Sequence, residues 1–289
     1  FQIDNGLSAD GVAGKGTLAE INKEPVDRLK SVIVGLERER YMNRSLGKRR
    51  IMVNIPDFHA RVIEGNREVF RTRVVVGKNT HDRRTPEFSD EMEHLVINPT
   101  WNVPRSIATK EYLPKFQNNP NAHGYLRLID SSGRVVSRDA VDFSQYNARN
   151  FPFDIKQPPS NRNALGLVKF MFPNRHNIYL HDTPQKSLFA RETRGYSHGC
   201  IRVADPFDLA YEILGKQERD PKGYFQRTLS TGRETHVGLE KKIPVHIYYQ
   251  TAWVPAKGRI QYRRDIYKRD AKIWKSLSDA GVVLRAVQG

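Results

Sequence analysis

Apolar and polar positions change rhythm several times along the chain. Behind Pro25, a residue suited to a first helical turn, Val26, Leu29, Ile33 and Leu36 recur at helical spacing and predict a helix over 25–45, ended by Gly47 and Lys48-Arg49-Arg50. The period then drops to two. Ile51, Val53 and Ile55 alternate with polar neighbours, and Val62-Ile63 and residues 70–76 flank Glu64-Gly65-Asn66, which predicts a hairpin. Leu95-Val96-Ile97 predicts another strand, and strands return over 167–172, 177–181 and 243–249. Asp205-Pro206 opens a helix with Phe207, Ala210, Tyr211 and Leu214 as its buried stripe and Gly215 as its stop, and 265–278 predicts a terminal helix. Short strands separated by turn signals favour a sandwich or barrel over alternating βαβ units. The expected fold class is mixed and mainly β: a β-sandwich-like domain with flanking helices.

Two stretches depart from this pattern. Residues 104–165 are rich in loop chemistry, such as Asn118-Asn119-Pro120-Asn121, yet hold Phe143, Tyr146, Phe151 and Phe153. An insertion this long with its own aromatics predicts a subdomain or lid. Residues 1–22 combine turn signals at Asp10-Gly11 and Gly14 with a short helix at Thr17-Leu18-Ala19-Glu20-Ile21.

Composition narrows the classes. The chain has 289 residues and 38% hydrophobic content, enough for a core without staples and too apolar for a disordered chain. No run of about 18 apolar residues would span a membrane as a helix. A single cysteine excludes a disulfide framework and a multi-thiolate zinc site within the chain. The formal charge of +16 suits an anionic partner: nucleic acid, a membrane surface or a carboxylate-bearing polymer. The basic residues are dispersed, as on a solvated surface, and no basic zipper helix, finger or RNP-like strand supports reading of nucleic acid.

The lone cysteine sits in Tyr196-Ser197-His198-Gly199-Cys200-Ile201-Arg202-Val203. Most free cysteines are small buried hydrophobes. Here Gly199 permits a tight turn and Ser197, His198 and Arg202 supply polar and cationic neighbours, which are expected to lower the thiol pKa. Upstream, in Asn177-Ile178-Tyr179-Leu180-His181-Asp182-Thr183-Pro184, alternation puts Tyr179 and His181 on one strand face. A Cys200–His181 pair would suit nucleophilic acyl transfer.

His181, fifteen residues, then Ser197-His198-Gly199-Cys200-Ile201-Arg202 resembles the signature of the L,D-transpeptidase family, with its YkuD-type catalytic domain. The stretch Tyr179 to Pro184, Thr251-Ala252-Trp253-Val254 and Asp265-Ile266-Tyr267 resemble the large periplasmic branch typified by YcbB, over roughly residues 25–275. The start of the chain resembles the closing stretch of small helical peptidoglycan-binding domains. The resemblance implies Cys200 as nucleophile, His181 as base and the backbone carbonyl of Asp182 as its orienting partner. It implies the Gly199 and Cys200 N–H groups with the Tyr179 hydroxyl as oxyanion hole, and Arg202 as its support or as a carboxylate binder. Ser197 and His198 would shape the substrate-side turn, with His198 structural rather than a base. A cap over about 105–165 would close on substrate, with Trp101, Tyr112, Phe143 and Phe151 as lining candidates.

The implied organisation is a domain remnant over 1–22, a linker helix over 23–48, a catalytic domain over 49–255 and a helical extension over 256–289. The implied reaction attacks the diaminopimelate–D-Ala bond of a tetrapeptide stem, releases D-Ala, and passes the thioester to an amine of a second stem, a 3→3 cross-link. No cofactor is implied, and histidines 59, 81, 94, 123, 176, 236 and 246 show no HExxH-like spacing for a metal. Peptidoglycan stems would be the partners, the periplasm the compartment, reached by a leader or anchor absent from this chain, and carbapenems would acylate the cysteine. Alternatives are attachment of an outer-membrane protein to the stem, L,D-carboxypeptidase hydrolysis, and a non-catalytic wall-binding protein.

Overall fold

The structure is a computed structural model and describes residues 1–255 and 257–284; position 256 and the last five residues of the expected extension lie outside the described residues. Two helices lead in, α1 (Lys15–Ile21) and α2 (Pro25–Tyr41). Strands β1 (Arg49–Asn54), β2 (His59–Glu64), β3 (Arg67–Gly77) and β4 (Phe88–Ile97) follow. β2 and β3 form the hairpin expected around Gly65, whose φ is +62°. The inserted segment contributes β5 (Trp101–Asn102), α3 (Arg105–Ile107), a π-helical turn (Ala108–Tyr112), α4 (Leu113–Asn118), β6 (Arg127–Ile129), β7 (Val135–Val136) and β8 (Asp154–Gln157). The chain then returns through β9 (Val168–Met171), β10 (Leu180–His181), β11 (Gly195–Ser197) and β12 (Ile201–Val203). Helices α5 (Pro206–Leu214) and α6 (Pro221–Ser230) precede the long β13 (Thr235–Tyr248), and β14 (Ala252–Trp253), β15 (Gln261–Tyr262) and α7 (Asp270–Asp279) end the described fold.

Nine strands make one mixed sheet in the order β11-β3-β12-β10-β9-β4-β13-β1-β2. β3 also pairs with β2, so the sheet folds back on itself. The eleven-residue length of β3 makes this possible: its first part, up to Arg73, pairs with β2, and Val74 and Val75 pair with β12. The inward faces enclose one apolar core containing Ile51, Val53, Val74, Leu95, Phe170, Leu180 and Ile201, each fully buried. The insertion has a separate four-stranded sheet, β5-β8-β6-β7, and its own core around Phe116, Leu128, Phe143 and Phe151.

Three helices differ from expectation for identifiable reasons. α2 turns Val26, Leu29 and Leu36 outward and buries Val34, Gly35 and Arg38. It docks through a close approach: a Cβ on Gly35 would lie 2.4 Å from the Ala252 carbonyl oxygen, and Arg38 reaches Asp270 at 2.6 Å. α5 buries Leu209, Ala210, Ile213 and Leu214, while Phe207 and Tyr211 are half-buried with rings 5.0 and 5.5 Å from Phe225. The Asp205 carboxylate takes the Thr72 hydroxyl at 2.8 Å rather than a helix N–H. α7 starts five residues later than predicted, because the Asp265 carboxylate accepts the Tyr249 hydroxyl at 2.5 Å and the N–H groups of Arg269 and Asp270, both at 2.9 Å.

Candidate active site

Strands β10 and β12 run parallel, with Leu180 opposite Ile201 and His181 opposite Arg202. Register partners share a face and neighbours along a strand alternate, so the two-residue period decides what each side chain sees. Leu180 and Ile201 enter the core. Tyr179, His181, Cys200 and Arg202 are left together on the opposite face, facing a cavity of about 730 Å³. The Ile201 N–H donates to the Tyr179 carbonyl at 3.0 Å, which holds Cys200 beside Tyr179. The Tyr179 and His181 rings meet edge to face at 5.7 Å.

The imidazole is fixed from one side. His181 Nδ1 lies 2.5 Å from the Asp182 carbonyl oxygen, so that nitrogen carries the proton and Nε2 is left as a base. The Asp182 side chain is occupied elsewhere: its carboxylate accepts the Leu167 N–H at 2.9 Å and both the Thr183 N–H and the Lys186 ammonium at 2.6 Å. Gly166 makes this loop possible. Its φ is +62°, and a Cβ there would stand 2.2 Å from the carboxylate.

The turn that carries Cys200 is held from beneath. Gly199 has φ +117°, a conformation that disfavours any side chain, and its carbonyl accepts the Thr85 hydroxyl at 2.8 Å. Among the described residues, neither the Gly199 nor the Cys200 N–H has a hydrogen-bond partner. The Thr85 hydroxyl also accepts the Gly77 N–H at 2.9 Å, and Tyr267 donates from its hydroxyl to the Gly77 carbonyl at 2.6 Å. At rest the Cys200 thiol points to the Asn177 carbonyl, 3.5 Å away, and makes no hydrogen bond to His181.

Electrostatics differ from the expectation of an activated thiolate. Burial pushes the Cys200 thiol up to about 11, against the lowering influence of Tyr179 and Arg202. Burial likewise pushes His181 down to about 3, with the Arg202 charge adding to the effect and the Asp182 and Leu165 carbonyls opposing it. Both groups are therefore neutral near pH 7. The cationic neighbours read from the sequence are present, but removal from water outweighs them.

The remaining predicted residues fall into three places. Ser197 is buried in β11, and its carbonyl accepts the Lys78 N–H at 2.8 Å. His198 turns to the cap, with Nε2 2.7 Å from the Glu111 carboxylate, which also takes Arg83 at 2.8 Å. Trp101 and Tyr112 line the cavity together with Ser197 and His198, and their rings meet edge to face at 6.2 Å. Phe143 and Phe151 do not line it, because they fill the cap's own core. The sequence reading did not single out Thr85, Arg83 or Glu111, which lie far along the chain from the motif, or Lys169, which is only twelve residues before His181 but reads there as an ordinary polar strand position.

The YkuD family model, the L,D-transpeptidase catalytic domain, matches residues 48–247. The chain belongs to this family, whose members act on peptidoglycan. Over 226 residues it is 34% identical to a Haemophilus influenzae protein named "Putative L,D-transpeptidase"; the match covers 77% of this chain and 45% of that protein, so the chain spans less than half of its relative's length. Among solved structures, an L,D-transpeptidase from Mycobacterium smegmatis is 10% identical with a TM-score of 0.29, covering 70% of this chain and 58% of that one. Bd1075 of Bdellovibrio bacteriovorus is 14% identical with a TM-score of 0.26, covering 81% and 56%.

Proposed function

We propose that this chain is a cysteine-dependent peptidoglycan L,D-transpeptidase of the cell envelope, of the large YcbB-like periplasmic kind, with Cys200 as nucleophile and His181 as its base. One observation carries the reading: the thiol and an imidazole with a fixed tautomer face one cavity beside two unengaged backbone N–H groups. The reaction requires Cys200 to turn from the Asn177 carbonyl, 3.5 Å from its sulfur, toward His181 Nε2. Because both groups rest neutral, the proton moves to the imidazole as sulfur attacks the carbonyl between diaminopimelate and D-Ala. The tetrahedral oxyanion is met by the Gly199 and Cys200 N–H groups with the Tyr179 hydroxyl. Collapse breaks the C–N bond, and His181 returns its proton to the departing D-Ala amine.

The thioester then waits for an amine. His181, neutral again, takes a proton from the acceptor amine as it attacks, and the thiol leaves reprotonated. The cap over the cavity excludes water, which would otherwise hydrolyse the thioester. Incubation with disaccharide-tetrapeptides and mass spectrometry of the products tests the proposal. Dimers lacking one D-Ala are expected from the wild type and none from Cys200→Ala. Tripeptide alone would make the enzyme a carboxypeptidase. Sacculus binding unaltered in Cys200→Ala, with no D-Ala release by the wild type, would make it a wall-binding protein.

A further inference from the structure

Four cations line the cavity: Arg83, Lys110, Lys169 and Arg202. Two are matched by carboxylates of the same lining, Arg83 by Glu111 at 2.8 Å and Lys110 by Asp82 at 3.5 Å. The other two are not. Arg202 donates from Nη1 to the neutral amide oxygen of Gln185 at 2.5 Å, and its buried Nε has no partner. The Lys169 ammonium makes no hydrogen bond or ion pair among the described residues; it stands 6.0 Å from the centre of the Tyr179 ring. The carboxylate that acts on it from outside the cavity lining, Glu234, is already held by the Thr100 N–H at 2.5 Å and by His236 at 3.3 Å.

The sheet places these two charges with purpose. β9 and β10 pair Lys169 with His181, and β10 and β12 pair His181 with Arg202. Lys169, His181 and Arg202 therefore form one row across three strands, with about 5 Å between neighbours. A partly buried cation with no counter-ion in contact is costly to keep charged, and burial lowers the Lys169 pKa, with the more distant Glu234 charge opposing. An anionic ligand would remove that cost.

We propose that Lys169 is a substrate-binding residue whose ammonium holds a carboxylate of the acyl-donor stem, on the side of His181 away from Arg202. The inference rests on the acyl-transfer reading above and specifies the substrate it takes: a donor with a free carboxylate close to the scissile bond. Geometry supports it. The leaving amine must reach His181 to collect its proton, and the terminal carboxylate of the leaving residue is two bonds from that amine. It must therefore lie within about one strand spacing of His181, which is where the row puts its charges. The side-chain carboxylate of the residue on the acyl side offers the same chemistry.

Three donor peptides separate the two sources: the free tetrapeptide, one amidated at its terminal carboxylate, and one amidated at the side-chain carboxylate of its third residue. Release of the fourth residue is followed by mass spectrometry for the wild type, Lys169→Met and Lys169→Arg. Lys169→Met is expected to raise KM for the free donor about tenfold while kcat stays within about twofold, as loss of a charged hydrogen bond would do. Lys169→Arg is expected to recover most of that loss. Amidating the carboxylate that Lys169 binds should raise the wild-type KM equally and cancel the effect of Lys169→Met, which identifies the group. An unchanged KM in Lys169→Met, or an equal rise on all three donors, overturns the inference while leaving acyl transfer intact. Failure of the wild type to release anything from any donor overturns both.

Discussion

A sulfur that is neutral at rest sets the residue-scale chemistry. Burial holds the Cys200 thiol at about 11 and His181 at about 3, so the resting pair is thiol and imidazole rather than an ion pair. Alkylation of Cys200 by iodoacetamide should therefore keep accelerating from pH 7 toward pH 11; a plateau below pH 8 would show a thiolate formed at rest. The imidazole also links folding to pH. An unfolded histidine takes its proton as pH falls through 6.5, whereas His181 in the fold resists until about 3. Its neutral form thus favours the folded state fully above pH 6.5, and that contribution, on the order of 5 kcal/mol at most, is lost as pH falls toward 3. His181→Gln should flatten the fall in thermal midpoint between pH 7 and 4. The motif residues themselves were legible because they fall in two short stretches, 177–184 and 196–203; their charge state was not, since desolvation depends on a cavity that no local pattern records.

Among the elements, the turn that carries Cys200 depends on a partner from the far end of the chain. Tyr267 donates to the Gly77 carbonyl at 2.6 Å and accepts the Thr85 N–H at 3.2 Å, and the Thr85 hydroxyl supports the Gly199 carbonyl. Tyr267→Phe leaves two buried backbone groups unpaired, so a loss of about 1–3 kcal/mol is expected in denaturant melts. If the relay positions the turn, acylation at saturating donor should also slow in the folded variant; an unchanged acylation rate would confine Tyr267 to stability. Strands β1 to β4, β9 and the end of β13 and the β2–β3 hairpin followed from alternation and turn residues, and α2 followed from its spacing; the strand expected over 177–181 shortens to Leu180–His181, and the three-residue β11 and β12 were not foreseen. The buried face of α2 did not, because a glycine and an arginine dock it through the close approach of Gly35 to Ala252.

Over the whole molecule, the inserted segment meets the loops at the edge of the large sheet through charge. Glu111 in the cap takes both Arg83 and His198, and Lys110 faces Asp82 at 3.5 Å. These side chains are about a third exposed or more, so each pair contributes under about 1 kcal/mol, enough to bias a lid without locking it. Glu111→Gln should let more water reach the thioester and raise the ratio of tripeptide to dimer; a ratio equal to wild type would remove the latch from the account. The aromatic content of the insertion announced a separate unit. Which aromatics face substrate was not legible, since Trp101 and Phe143 read alike in sequence, yet the first lines the cavity and the second fills the cap.

Intact-mass measurement after exposure to a carbapenem bears most directly on whether the sulfur at 200 and the imidazole at 181 form the reacting pair. Wild-type chain should gain one adduct, His181→Ala should gain it far more slowly, and Cys200→Ala should gain none. An adduct of equal yield on folded Cys200→Ala, or a folded wild type that stays unmodified, would contradict it.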